Sequence, residues 1–342
     1  KGKLIMVFSE LLKKIINKED LSNKEARFAF NLIMSGKCTD IQISAFLALL
    51  SAKGESTDEI LQAVKVLRNK SIKIKPIKNL LDTCGTGGDG KDTLNISTAT
   101  AILTASCGVK VAKHGNKSVS SKCGSSDVLS SLGVNINAKR SNVEKSLKNI
   151  GLCFLMAPLY HSAMKNVANV RQNLKIKTIF NILGPLINPA NAERQLIGVY
   201  SKKWLMPMAK CLQNLSIKKA WLVHGLDGLD EITTTSKTIV LEVKQKKIRK
   251  FKIDPLKLGF KKSSLMKLKG KDQNYNAKAI IKLFSGKSMN SPFYDIVILN
   301  TAAALVVSEK EKSLKKAIIT ARQALDKGLA LKKLNELVRA SQ

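Results

Sequence analysis

Apolar residues set the first pattern. Over residues 4–70 they recur at helical spacing and no other, beginning with Leu4, Ile5, Phe8, Leu11, Leu12, Ile15 and Ile16. Three capping boxes punctuate this stretch: Ser22 with Glu25, Thr39 with Gln42 and Ser56 with Glu59. Each sets a hydroxyl three residues ahead of a side chain that reaches back to its amide. Gly36 and Gly54 fall where helices should stop. The pattern predicts a compact helical bundle over residues 1–72 and a linker, 73–78, containing Pro76.

From residue 79 the period changes. Leu80–Cys84 reads as a strand, Gly85–Gly90 as a turn, Ile96–Ser106 as a helix stopped by Gly108, and Val109–Ala112 as a second strand. Ser141 with Glu144 predicts a capped helix that ends at Gly151, ahead of a strand over Cys153–Ala157. Leu196–Tyr200 and Ala220–Val223 are further strands, 239–253 reads as an antiparallel ribbon, and two or three helices are expected to close the chain. Such alternation argues for a parallel sheet. The expected fold class is α/β: a small N-terminal all-helical domain plus a larger α/β domain, residues 79–342, with a central, largely parallel sheet flanked by helices.

Charge then complicates the picture. Lys and Arg number 59 against 25 Asp and Glu, a formal net charge of +34. That points first to nucleic acid or an anionic membrane. Only eight of the basic residues are Arg, however, so the planar fork that suits phosphates and base edges is scarce. Aromatic residues make up 5%, which leaves few stacking platforms. The lysines are spread over most of the chain, as a compositional drift toward Lys, Ile and Asn would leave them, and that reading outweighs a nucleic-acid role. A hydrophobic content of 44% excludes wholesale disorder. No apolar run approaches the roughly 18 residues of a membrane helix. Cys38, Cys84, Cys107, Cys123, Cys153 and Cys211 show neither zinc spacing nor a disulfide framework, which fits a reducing compartment. The apolar stretch after Lys1 is too short for a signal peptide, and Met6 is a candidate start. The expectation is a cytoplasmic protein with neither membrane nor nucleic-acid partner.

The chemistry lies in the glycine-rich and acidic turns. Gly85-Thr86-Gly87-Gly88-Asp89-Gly90 follows a strand and matches G-x-G-x-x-G. A dinucleotide fold would then want an acidic residue about 20 positions on for the ribose hydroxyls. The second strand ends instead in Lys113-His114-Gly115-Asn116, which suits an anion. The glycines let backbone approach a ligand, and N–H groups at a helix N-terminus make an anion site, so Asn95-Ile96-Ser97-Thr98 reads equally as phosphate site or as ordinary N-cap. Lys113–Asp127 reads as a long polar loop at a strand's carboxyl end, where α/β folds place ligands. Asp230-Glu231 follows a strand and a glycine turn, so the pair is a candidate Mg²⁺ site, although most such pairs are solvated surface. Arg171 is one of few arginines and suits a carboxylate. Thr178–Ala190 is apolar with Gly-Pro and Asn-Pro breaks, as in a packed connection, and His114, His161 and His224 form no metal spacing.

Together these segments resemble the anthranilate phosphoribosyltransferase family. The likeness rests on Asp82–Asp89 (DTCGTGGD), Asn95–Thr98 (NIST), Lys113–Leu132 (KHGNKSVSSKCGSSDVLSSL), Arg171, Thr178–Ala190 (TIFNILGPLINPA) and His224–Ile232 (HGLDGLDEI), in the family's order. It implies Mg²⁺-dependent transfer of phosphoribose from phosphoribosyl pyrophosphate to the amine of anthranilate, in tryptophan biosynthesis. It implies that Gly85, Gly88, Asp89, Thr93, Asn95, Ile96, Ser97, Thr98, Lys113, His114, Gly115, Asn116, Lys117, Ser118, Val119, Ser120, Ser121 and Ser125 hold the phosphoribosyl donor. Gly85, Asn116 and Arg171 would face anthranilate, and Ser97, Asp230 and Glu231 would bind Mg²⁺. The likeness also implies a homodimer and a helical contribution to the first domain from about residues 160–190. Lys177 stands where the family usually has Arg, and Ser162 where Pro is common. Neither is expected to touch the named residues, so both put local packing in doubt more than the reaction.

Two rivals remain at this point. A pyrimidine nucleoside phosphorylase would share the fold and a similar glycine loop, but Asp230-Glu231 and Lys113–Asn116 favour the transferase. A basic nucleic-acid-binding protein would use residues 244–271, which carry 12 basic residues and one acid, Asp254.

Overall fold

The computed structural model describes residues 7–117, 122–215 and 217–342. Ser118, Val119, Ser120 and Ser121 therefore lie outside the described residues, as do Leu4 and Ile5 of the first apolar stripe. The chain opens with four helices, α1 (Phe8–Ile16), α2 (Asn23–Met34), α3 (Asp40–Lys53) and α4 (Thr57–Lys70). All three capping boxes form, each pairing the hydroxyl with the third amide and the third side chain with the cap amide. Gly54 ends α3 at φ 90°, and Gly36 follows α2 at φ 68°, where a Cβ would be strained.

The second part alternates. It runs β1 (Leu81–Gly85), α5 (Ile96–Ser106), β2 (Val111–Gly115), α6 (Ser125–Ser131), α7 (Arg140–Ile150) and β3 (Leu152–Met156). Next come α8 (Ala157–Tyr160), α9 (Lys165–Leu174), α10 (Phe180–Leu183), β4 (Arg194–Gly198), α11 (Leu205–Asn214) and β5 (Lys219–Gly225). The ribbon is β6 (Thr238–Lys244) and β7 (Lys247–Ile253). The chain closes with four helices rather than two or three: α12 (Gln273–Phe284), α13 (Pro292–Val307), α14 (Leu314–Asp326) and α15 (Leu329–Ala340). The sheet order is β3-β2-β1-β4-β5-β6-β7, parallel through β5 and antiparallel for β6 and β7. The expected fold class is therefore the observed one.

Two local expectations need correction. Ser141 and Glu144 form no capping box: Lys139 is the N-cap of α7 without a side-chain bond. Glu144 instead accepts from the Lys75 amide at 3.0 Å and from Arg140 Nε at 2.9 Å, and so ties the linker to α7. Strand β2 also runs to Gly115, so Lys113 and His114 are buried strand residues and not the start of a polar loop.

Alternation within the strands divides the core. Leu196, Trp221, Val223 and Val240 face a layer built from α5 and α12–α15. Ile197, Ala220, Leu222, Ile239 and Leu241 face the other way, into one apolar cluster that also holds α1–α4, α11 and residues 167–187. Residues 73–78 thus separate two parts of the sequence that share a core. Helix α9 packs on α2 and α3, and Ser51 Oγ and Arg68 Nε donate to the carbonyls of Lys177 and Leu186 at 3.0 and 2.7 Å.

Candidate active site

Four of the five parallel strands end in glycine: β1 at Gly85, β2 at Gly115, β4 at Gly198 and β5 at Gly225. The reason is close approach. A Cβ on Gly85 would lie 2.5 Å from Asp230 Oδ2, and one on Gly198 would lie 1.5 Å from the Asp230 carbonyl oxygen. Gly85 and Gly198 are paired in register, so the Asp230 turn sits directly on a strip of bare backbone. A Cβ on Gly115 would meet Ser125 Oγ at 2.2 Å, and one on Gly225 would meet Asp227 Oδ1 at 2.4 Å.

The glycine loop after β1 is held against the same turn. The Thr86 amide donates to the Gly198 carbonyl at 2.9 Å, and the Gly87 amide donates to Asp230 Oδ2 at 2.9 Å. Gly87, Gly88 and Gly90 take φ of 64°, 76° and 69°, the left-handed region that excludes most side chains. The Asp89 carboxylate accepts from the Lys91 amide at 3.0 Å. Among the described residues, the amides of Gly88, Asp89 and Gly90 have no hydrogen-bond partner. Helix α5 opens nearby with its N-cap Asn95 making no side-chain cap. Free amides beside an open helix N-terminus make an anion-binding concavity.

Negative charge is crowded opposite. Burial, and then the Asp89 carboxylate, push the Asp230 carboxyl up to about 7. Burial and the neighbouring Asp230 push Glu231 well above the ordinary carboxylate range. The buried Lys113 ammonium lies beneath, donating to the Thr83 carbonyl at 2.7 Å and to Ser97 Oγ at 3.3 Å. Burial pulls its pKa down, against Asp82, Glu231 and Asp230, which favour its charge. Among the described residues no three His, Cys, Asp or Glu side chains are grouped as a ready metal site. Two crowded carboxylates still fit Mg²⁺, which commonly takes one or two protein carboxylates and completes its shell with substrate phosphates.

The other named residues divide. Thr93 bridges to Lys269, and the Asn116 carbonyl accepts from Ser125 Oγ at 3.3 Å while its side chain takes the Lys117 amide at 2.8 Å. Asn95 is engaged as a tie: its Nδ2 donates to the Cys123 carbonyl and its Oδ1 accepts from Asn276 at 2.9 Å. Ile96 buries its side chain in the core, and the Thr98 hydroxyl is buried without a partner. The His114 ring leaves the Lys113 side of the strand. Its Nδ1 meets the Gly184 carbonyl at 3.2 Å and its ring lies 5.2 Å from His161. Burial and His161 push it down to about 3, so it is neutral at pH 7. Arg171, on α9, stands 5.4 Å over the Phe180 ring and has no carboxylate partner among the described residues.

Three contributors were not read from the sequence. Gly198 passed as an ordinary strand residue, although a glycine closing a third strand was the signal. Asn300, a lone amide in the apolar run Pro292–Val307, brackets Ile232: its Oδ1 accepts the Ile232 amide at 3.0 Å and its Nδ2 donates to the Ile232 carbonyl at 2.8 Å. It thereby fixes the backbone just past Glu231. Lys177 corrects an expectation: it does touch the named site, for its Nζ donates to the Gly88 carbonyl at 2.6 Å. Ser162, by contrast, opens an exposed 3-10 turn.

Comparison with known proteins places this arrangement. Residues 77–331 match the model described as glycosyl transferase family, a/b domain, and residues 9–71 match glycosyl transferase family, helical bundle domain. The fold and these matches thus define a glycosyl transferase of the class that joins a helical bundle to an α/β domain. An anthranilate phosphoribosyltransferase of Clostridium kluyveri is 47% identical over 333 residues, covering 97% of this chain and 99% of its own. The crystal structure of the Thermus thermophilus anthranilate phosphoribosyltransferase superposes with TM-score 0.90 at 36% identity, over 96% of this chain and 98% of that one. The Saccharomyces cerevisiae enzyme in complex with PRPP and Mg gives TM-score 0.90 at 29% identity, over 98% and 97%. The chain belongs to the anthranilate phosphoribosyltransferase family.

Two measurements test this geometry. Gly198→Ala should displace the Asp230 turn, and a misplacement of ~1 Å costs on the order of a hundredfold in rate. The variant should keep its circular dichroism and lose turnover to that degree; full turnover would show that the close approach is not needed. The raised Asp230 and Glu231 values also have a sign. Through these two carboxyls the folded chain binds more protons than the unfolded one from the ordinary carboxylate range up to about 7, so their contribution to stability falls as pH rises through that window. With chelator present, the change in urea midpoint from pH 4.5 to 7.5 should be more negative in the wild type than in Asp230→Asn; equal slopes would contradict the crowding.

Proposed function

We propose that this chain transfers the 5-phosphoribosyl group of phosphoribosyl pyrophosphate to the amine of anthranilate, giving N-(5-phosphoribosyl)anthranilate and pyrophosphate in tryptophan biosynthesis. The reading is supported by one observation: loop amides that have no partner among the described residues stand beside the Asp230-Glu231 turn, to which the Gly87 amide bonds directly. An anionic leaving group needs donors and counter-charge at one place, and an aryl amine, neutral at pH 7, needs no strong base. Positioning and stabilisation of the departing charge then account for the chemistry.

The residues take the following roles. The amides of Gly88 and Asp89 and the opening turn of α5 face the donor's phosphates, with Thr93, Asn95, Asn116 and Ser125 shaping the loops around them. Lys113 holds the Ser97 hydroxyl and offsets the carboxylates. Asp230, Glu231 and Ser97 would hold Mg²⁺, which supplies charge neutralisation on the leaving pyrophosphate. Arg171, half-buried over Phe180 and without a hydrogen-bond partner among the described residues, suits a carboxylate such as that of anthranilate. His114 is then a supporting residue: its amide donates to Asp82 at 3.2 Å and its neutral ring meets the Gly184 carbonyl.

We further propose a homodimer formed through the helical domain, supported by Ile16 and Ile41, which are 60% and 82% exposed on α1 and α3. A cytoplasmic setting is supported by six free cysteines, and among the described residues no helix is long and apolar enough to cross a membrane.

Fluorescence loss of anthranilate, with phosphoribosyl pyrophosphate and Mg²⁺ present, tests the reaction. The wild type should consume anthranilate, and Asp230→Asn should lower turnover about a hundredfold or more while staying folded. Wild-type turnover in that variant would remove Asp230 from the metal role. Cleavage of a pyrimidine nucleoside by phosphate, without anthranilate loss, would replace the assignment.

A further inference from the structure

The glycine loop is gripped from the helical side by one cation. Lys177 precedes α10, and its backbone carbonyl is fixed by Ser51 of α3 at 3.0 Å. Its Nζ reaches across to the Gly88 carbonyl at 2.6 Å and stands 4.0 Å over the Tyr200 ring. Tyr200 is itself tied to the loop, since its amide donates to Thr86 Oγ1 at 3.0 Å. With the Asp230 turn, which takes the Gly87 amide, the Lys177 segment and Tyr200 thus converge on Thr86–Gly88.

The hold on Gly88 has a consequence for the next peptide group. In a trans peptide the N–H points opposite to the C=O. Gly88 takes φ 76°, a conformation in which the plane of its following peptide is otherwise free to turn. Anchoring the Gly88 carbonyl to Lys177 turns the Asp89 amide away from Lys177. That amide and its neighbours at Gly88 and Gly90 are the ones without partners among the described residues.

We propose that Lys177 is a positioning residue for the phosphoribosyl donor: by capturing the Gly88 carbonyl it presets the loop amides, Asp89 above all, as an anion cradle. The inference rests on the transferase reading. It needs no contact between Lys177 and substrate. A charged donor makes the bond to Gly88 stronger than a neutral one would be. Arg keeps the charge and a hydrogen-bond donor at this position, whereas Met keeps only the apolar stem over Tyr200.

The test combines kinetics with a readout that needs no turnover. K177M should raise the KM for phosphoribosyl pyrophosphate about tenfold or more, the scale of one lost charge-assisted hydrogen bond. Its kcat and its KM for anthranilate should stay within about twofold of wild type, since preorganised donor binding is what is lost. K177R should restore the donor KM to within about threefold of wild type. Hydrogen exchange of the Thr86 and Gly87 amides, whose partners are the Gly198 carbonyl and the Asp230 carboxylate, should in the free protein be faster in K177M than in wild type or K177R. An unchanged donor KM in K177M, a fall in kcat alone, or unchanged exchange in the loop would overturn the proposal. Wild-type protein that does not turn over phosphoribosyl pyrophosphate would instead strike at the transferase reading, and the exchange comparison would still decide whether Lys177 holds the loop.

Discussion

Asp230 rests on two paired glycines, and the rest of the site follows from how near it comes. Its carbonyl oxygen occupies the space a Gly198 side chain would need, and its carboxylate fills that of Gly85. From there the Gly87 amide can reach the carboxylate, which ties the glycine loop to the acid turn. The same nearness brings Asp89 within electrostatic reach of Asp230 and raises its pKa. Carboxylates so crowded favour whatever adds positive charge, a proton in the free protein and a divalent cation when one is bound. The turn is then braced from behind by Asn300, which brackets Ile232, and by Thr233 Oγ1, which donates to Asp227 at 2.6 Å.

Two bodies of the chain meet at this point. The sheet supplies the glycine strand ends, and the helical part supplies Lys177, which follows the α9 segment that packs on α2 and α3. Because α1–α4, residues 167–187 and one face of the sheet share a single apolar cluster, the helical side is packed into the sheet's own core. The overall +34 has a smaller part in this than its size suggests. Lys113 and Lys177 act through specific hydrogen bonds, and the remaining lysines provide a positive field that would favour capture of an anionic donor.

Much of this was legible in the residues. Period and punctuation gave the helical bundle with its three capping boxes, the helix Ile96–Ser106 and the parallel strands, because those elements obey local rules. Motif order then led to the family. The misses share a cause: their signals are tertiary. Ser141 and Glu144 had the spacing of a cap, but Glu144 found better partners in Arg140 and in Lys75, 69 positions away. Lys113 and His114 looked like loop because polar residues seldom fill a buried strand; here Ser97, Thr83 and Gly184 supply their partners. Gly198 and Asn300 each matter through a contact with the turn after β5, which no local pattern encodes. Lys177 looked like a neutral exchange for Arg until the Gly88 carbonyl appeared beside it.

The enzyme makes one transfer at one site, with charge leaving as pyrophosphate only as the arylamine attacks. Phosphorus NMR of a mixture of protein, phosphoribosyl pyrophosphate, Mg²⁺ and a limiting amount of anthranilate follows this directly. Pyrophosphate should appear mole for mole with the anthranilate consumed and stop when anthranilate is exhausted. Sustained pyrophosphate release without anthranilate, or none with it, would rule out this coupling.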